Sequence, residues 1–211
     1  MDRHRFVLLS PVLVILVGSL TIRLAARSLG VWAWVPWVLV YWALICVVVF
    51  WGVGKAAVTR WMRPPHGRWL WSAVPFVLVL PAIPMFISSW QLLKPVYVWV
   101  PSLIFIAVNP VLEEWYWRGT LLDATTSWPS WIAIPATSVL FSLDHLWSKG
   151  VISLAERNPV FLIYAFVFGV VFGIVYKKTG SLRWPIVAHA FADLFGLSVA
   201  VFLNLWVPPV R

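Results

Sequence analysis

Residues 97–118 read Tyr-Val-Trp-Val-Pro-Ser-Leu-Ile-Phe-Ile-Ala-Val-Asn-Pro-Val-Leu-Glu-Glu-Trp-Tyr-Trp-Arg. An apolar run thus ends in Glu113-Glu114-Trp115-Tyr116-Trp117-Arg118. Charges inside a membrane helix cost about 2.5–3.5 kcal/mol each at the helix centre on insertion scales. The whole chain of 211 residues holds only 7 acids, so two adjacent ones in apolar sequence mark the start of a functional site.

The surrounding composition gives that stretch its setting. Hydrophobic residues make up 62% of the chain and charged residues 11%, and the mean hydropathy is +0.91. Soluble domains carry about a quarter charged residues, so this composition leaves too little polar surface for one. It predicts an all-α polytopic transmembrane helical bundle, a single integral membrane domain over residues 1–211. The 17 Trp residues suit the membrane–water interface, where indole rings concentrate. Those at 32–37 and 69–71 read as interfacial belts. The net charge of +9 is spread over short connections, which points to membrane topology and not to nucleic acid. A single cysteine, Cys46, excludes a disulfide framework and a cysteine metal cluster.

Apolar runs and breakers predict about seven spans: 6–21, 31–53, 69–90, a fourth from about 99 that carries the acidic motif, 130–147, 160–176 and 185–207. A cleaved signal peptide is the rival reading of the first run, but more membrane follows it. Pro75, Pro81 and Pro84 predict a kinked third span. Gly169 and Gly173 are spaced for close helix packing. With a cytoplasmic N-terminus, ten Lys and Arg residues (Arg118 among them) fall on the cytoplasmic side and six on the other, which favours that orientation. The plasma membrane is the expected location.

The candidate chemistry lies in a core of about residues 97–206. Glu114 and Arg118 are four apart, in the favoured order for a helical ion pair. Glu113 points about 100° away from Glu114 in an α-helix, so it is expected to face a different neighbour. Phe141 and His145 share a helix face, as do His189 and Asp193. At 1.5 Å per residue, Glu113, His145 and His189 fall at depths of ~15, ~22 and ~6 Å from one face. Helix tilt and a kink at Pro135 are needed to bring them together. A carboxylate and two imidazoles so assembled can position and deprotonate a water.

Each residue also has a plainer reading. Glu113 could be a carboxylate solvated at the membrane edge, and His145 an interfacial histidine beside Trp147. His189–Asp193 could be a polar pair locking two helices, and Asp144 a solvated neighbour. Zinc held by Glu113, His145 and His189 stays open as a two-histidine, one-carboxylate set, although no His-Glu-x-x-His pair fixes two ligands on one helix. Otherwise no cofactor is expected.

Glu113-Glu114-x-x-x-Arg118, Phe141-x-x-x-His145 and His189-Ala190-x-x-Asp193, in that order on apolar helices, resemble the CPBP family of intramembrane proteases. That group includes the CAAX prenyl endopeptidases and bacterial proteins of bacteriocin processing and self-immunity. The resemblance implies a glutamic-type intramembrane endopeptidase with its site in a water-filled cavity, expected to cleave near the C-terminus of a membrane-anchored protein or peptide. By similarity, Glu113 is general base on a water that His145 positions. His189 and Asp193 line the oxyanion side, while Glu114, held by Arg118, and Phe141 give structural support. The family commonly has Asn where this chain has Asp193, and Asp donates a hydrogen bond only when protonated. The alternative is a non-catalytic membrane protein that uses the same fold for binding or immunity.

Overall fold

The computed structural model describes residues 2–146, 151 and 153–207, and every regular element among them is helical. Helix α1 (Arg3–Leu29) is capped by the Asp2 carboxylate, which accepts from the His4 N–H. It ends at Gly30, whose φ of 54° is open to glycine and strained for other residues. The chain reverses there into α2 (Trp34–Val47), which continues as a π-helix over Val48–Val53. The two arms pack antiparallel and closely. A methyl group added at Gly18 would lie 3.1 Å from the Trp37 indole, and one at Gly52 would lie 2.7 Å from a Val7 methyl.

Short α3 (Lys55–Trp61) precedes a broken segment. There α4 (Leu70–Val77) and α5 (Ile83–Ser89) are joined by a 3-10 turn at Leu80–Ala82. The expected kinking is present, because the ring of each proline removes a helical hydrogen bond. Helix α6 (Val96–Glu113) changes into a π-helix over Glu114–Thr120 and returns to α in α7 (Leu121–Ala124). Helices α8 (Ser130–Asp144) and α9 (Pro159–Thr179) form a second antiparallel hairpin. Gly169 and Gly173 make it possible, since added methyl groups there would lie 2.8 Å from Ser138 Cβ and 3.1 Å from Ile134 Cγ2. Helix α10 (Arg183–Phe195) then leads to α11 (Ser198–Phe202).

Four helical stretches are long and apolar enough to cross a membrane: Arg3–Val53, Leu70–Leu93, Val96–Ala124 and Pro159–Thr179. These mark an integral membrane protein. The stretches expected as first and second spans form one unbroken helical run folded at Gly30. At 15 and 13 residues, α8 and α10 are short; Trp147, expected at the end of the fifth span, lies outside the described residues. The stretch expected as a seventh span is divided at Leu197, a buried non-glycine residue with φ 52°. That turn carries strain of roughly 1 kcal/mol, and it brings Ser198 back onto Asp193.

Outward-facing side chains are as apolar as the interior. Leu9, Leu16, Leu20, Ile87 and Ile163 are each more than half exposed, as lipid-facing surface requires. The tryptophans at 32–37 divide instead of forming one belt. Trp32 is 41% exposed, but Trp34 and Trp37 are buried at 4% each, packed against Phe202, with Trp37 stacked 5.2 Å from Tyr41. The fold-back at Gly30 turns their face inward.

Candidate active site

Glu113 is the last residue of α6 and Glu114 the first of the π-turn. π-turns interrupt α-helices frequently at functional sites. Both carboxylates are buried, Glu113 at 4% and Glu114 at 0% exposure. They reach one ring between them. His189 Nδ1 donates to Glu114 Oε1 at 2.9 Å, while His189 Nε2 lies 3.6 Å from Glu113 Oε2 and 3.9 Å from Asp193 Oδ2. Glu113 does face a neighbour of its own, the Tyr41 hydroxyl, and Glu114 faces Arg118, although both also approach His189. The two nitrogens of an imidazole lie on opposite sides of the ring, so adjacent carboxylates can address one each.

Arg118 Nη1 donates to Glu114 Oε1 at 3.0 Å, the helical pair read from the spacing. Arg118 is 2% exposed and belongs to no loop, which removes it from the loop cations that set topology. Its guanidinium lies 4.1 Å from the centroid of the Phe141 ring, with Phe168 and Phe172 at 5.8 and 5.7 Å. Cation–π attraction strengthens when both groups are desolvated, as they are here. Glu114 Oε2 and Arg118 Nη2 have no hydrogen-bond partner among the described residues.

Phe141 also explains its spacing to His145. Its carbonyl accepts from His145 Nδ1 at 2.8 Å, which fixes Nδ1 as the protonated nitrogen and leaves Nε2 with the lone pair in a neutral ring. Nearby Asp144 is 2% exposed and is not the solvated neighbour its sequence position suggested. Its Oδ1 has no hydrogen-bond partner among the described residues.

Three further residues complete the site, and sequence reasoning missed all of them. Tyr41, from α2, donates its hydroxyl proton to Glu113 Oε1 at 2.9 Å and accepts from Trp117 Nε1 at 3.1 Å. Asn109, one helical turn before Glu113, has its Oδ1 engaged by Trp42 Nε1 at 3.0 Å and lies beside Asp193. Ser198, beyond the turn at Leu197, donates to Asp193 Oδ1 at 3.1 Å. A polar Asn inside the apolar part of 97–112 was the signal available for Asn109. Tyr41 sits in a uniformly apolar helix and offered none.

Glu113, His145, His189, Asp193, Asn109 and Asp144 all line one cavity of about 380 Å³. The depth mismatch that the residue count suggested does not keep them apart. The remaining wall is largely aromatic and aliphatic, with Phe105, Phe161 and Phe168 among it. Among the described residues no group of three or more His, Cys, Asp or Glu side chains is arranged to hold a metal ion. Glu113, His145 and His189 thus give one cavity an acceptor carboxylate and two imidazoles.

Residues 95–195, just under half of the chain, match the type II CAAX prenyl endopeptidase Rce1-like family. An Escherichia coli protein known as an uncharacterized 24.3 kDa protein is 30% identical over 97 residues, which are 44% of this chain and 41% of the relative. The chain thus matches well under half the length of that relative. No solved structure matches.

Proposed function

From an Rce1-like CAAX prenyl endopeptidase domain at residues 95–195, we propose that this protein is an intramembrane glutamic endopeptidase. It cleaves near the C-terminus of a membrane-anchored protein or peptide. The observation that carries this reading is the convergence of Glu113, His145, His189 and Asp193 on a single cavity inside an apolar helical bundle. Intramembrane ionisable residues are costly and usually functional, and here α6, the end of α8 and α10 contribute to one cluster.

In this mechanism Glu113, as the carboxylate, accepts a proton from a water whose other hydrogen bonds to His145 Nε2. The water oxygen adds to the scissile carbonyl carbon and the carbonyl electrons move to oxygen. His189, protonated on both nitrogens, donates Nδ1–H to Glu114 and presents Nε2–H to that oxyanion. The carbon–nitrogen bond then breaks, and Glu113 passes its proton to the leaving amine. Asp193 helps the oxyanion as the neutral acid, with Ser198 and Asn109 setting its orientation. Glu114 and Arg118 hold His189 in register.

The protein lies in the plasma membrane in about seven crossings, with a cytoplasmic N-terminus, α8 and α10 serving as short crossings. The apolar cavity wall suits a lipidated or extended apolar segment. A second reading, binding without cleavage, is favoured by the carboxylate at position 193, which opposes an oxyanion when ionised. The deciding experiment is proteolysis of lipidated and tagged C-terminal peptides by protein in liposomes, with and without chelator. Glu113→Gln should abolish cleavage while leaving insertion and melting intact. Full turnover by that variant would sink the enzymatic reading.

A further inference from the structure

A second cavity lies away from the first, between the loop after α3 and the starts of α4 and α10. Its volume is about 500 Å³, and Pro65, His66, Trp69, Ala73, Phe76 and Trp184 are among the residues lining it. The loop is anchored against the end of α9: the His66 N–H donates to the Thr179 carbonyl at 3.1 Å, and Ser181 Oγ donates to the Arg63 carbonyl at 2.8 Å. Gly180, at φ 64°, admits this contact, because an added methyl group there would run into the His66 ring. The wall is therefore built by backbone hydrogen bonds and close packing.

Its chemistry is two-sided. Trp69 is 75% exposed and Trp184 41%, and Trp184 packs on Phe76 with ring centroids 6.0 Å apart. Exposed indoles at helix starts mark the interfacial layer of a bilayer. Around them stand exposed cations. Arg68 falls between the lining residues Gly67 and Trp69, and Arg183 directly precedes Trp184. Lys178 Nζ lies 5.8 Å from the Trp71 ring. Neither residues 55–72 nor 175–192 contain an acid. Asp123, which meets this region, is already engaged by Arg60, by Trp61 Nε1 at 2.9 Å and by the Tyr176 hydroxyl at 2.8 Å.

We infer that this groove is a binding site for one anionic phospholipid, its phosphodiester between Arg68 and Arg183 and its acyl chains along Trp69, Phe76 and Trp184. Basic pockets between membrane helices take anionic headgroups in this way, through charge at the rim and apolar contact below. A zwitterionic lipid fits the same apolar floor but brings a cation of its own among the arginines. The site is independent of any cleavage at Glu113.

The experiment is native mass spectrometry of the full chain in detergent, titrated with phosphatidylglycerol or phosphatidylcholine. One phosphatidylglycerol should bind roughly fivefold to thirtyfold tighter than phosphatidylcholine, the factor expected from one or two cations near a membrane surface. Arg68→Gln should remove most of that preference, and so should Ala73→Glu, which puts a carboxylate on the groove floor and breaks no hydrogen bond. Arg23→Gln with Arg27→Gln, near the C-terminal end of α1, should leave it unchanged. Melting temperatures would show that each variant is folded. Equal binding of the two lipids, a preference that survives both groove variants, or full competition by inorganic phosphate would each overturn the assignment.

Discussion

Tyr41 and Glu113, 72 residues apart, are joined by a buried hydrogen bond of 2.9 Å from the phenol to the carboxylate. Tyr41 lies outside residues 95–195, the part of the chain that matches a family. The N-terminal hairpin is therefore part of the site, and the Trp117 N–H behind the phenol fixes its orientation. Tyr41→Phe removes the donor and leaves both Glu113 Oε1 and the Trp117 N–H unsatisfied. An unsatisfied buried group costs about 1–3 kcal/mol, so cleavage should slow by roughly fivefold to a hundredfold. Single-turnover assays would measure this, and adding Tyr41→Phe to Glu113→Gln should cause no further loss.

Arg118→Met should destabilise the fold by about 3–5 kcal/mol, because it leaves a buried carboxylate without its full cation. Adding Glu114→Gln should recover part of that loss, since the neutral pair no longer strands a charge. Arg118→Lys should not rescue fully, because an ammonium lacks the planar face that lies over Phe141. Thermal unfolding in detergent reads all three.

Asp193→Asn supplies a permanent N–H donor in the family's usual form. In the proposed mechanism it should match or exceed wild-type turnover, whereas Asp193→Ala should lose about 10²–10³-fold, the value of an oxyanion donor. An Asn variant as inactive as the Ala variant would show that the carboxylate itself is needed, as an orienting group for His189.

Gly169→Val should separate α8 from α9, since even the first added carbon would lie 2.8 Å from Ser138 Cβ and 3.1 Å from its Cα. Overpacking of this kind costs about 1–3 kcal/mol, and it would move Phe141 and His145 away from Arg118 and His189. Activity should fall more steeply than melting temperature. Gly173→Ala, whose methyl would first meet the Ile134 and Leu122 side chains at 3.1 and 3.4 Å, should be milder.

What could be read in the residues was governed by local rules. The apolar runs, the Glu114–Arg118 pair and the Phe141–His145 face all follow from spacing along one helix, and each recurs in the structure. The close packing permitted by Gly169 and Gly173 recurs too. All three motifs lie within residues 95–195, the part of the chain that matches the Rce1-like family.

Contacts between elements were not legible, because no periodicity records which helix a side chain will meet. The N-terminal hairpin brings Tyr41 to the cluster, and the turn at Leu197 brings Ser198. The same packing sends Asp144, Trp34 and Trp37 inward, where sequence position suggested water or membrane surface. By itself the sequence determined an apolar helical protein with a few acids and histidines too costly to be incidental. Only the tertiary structure decided that Glu113 and Glu114 meet the two nitrogens of one imidazole, because burial and charge pairing depend on which distant helices fold against each other.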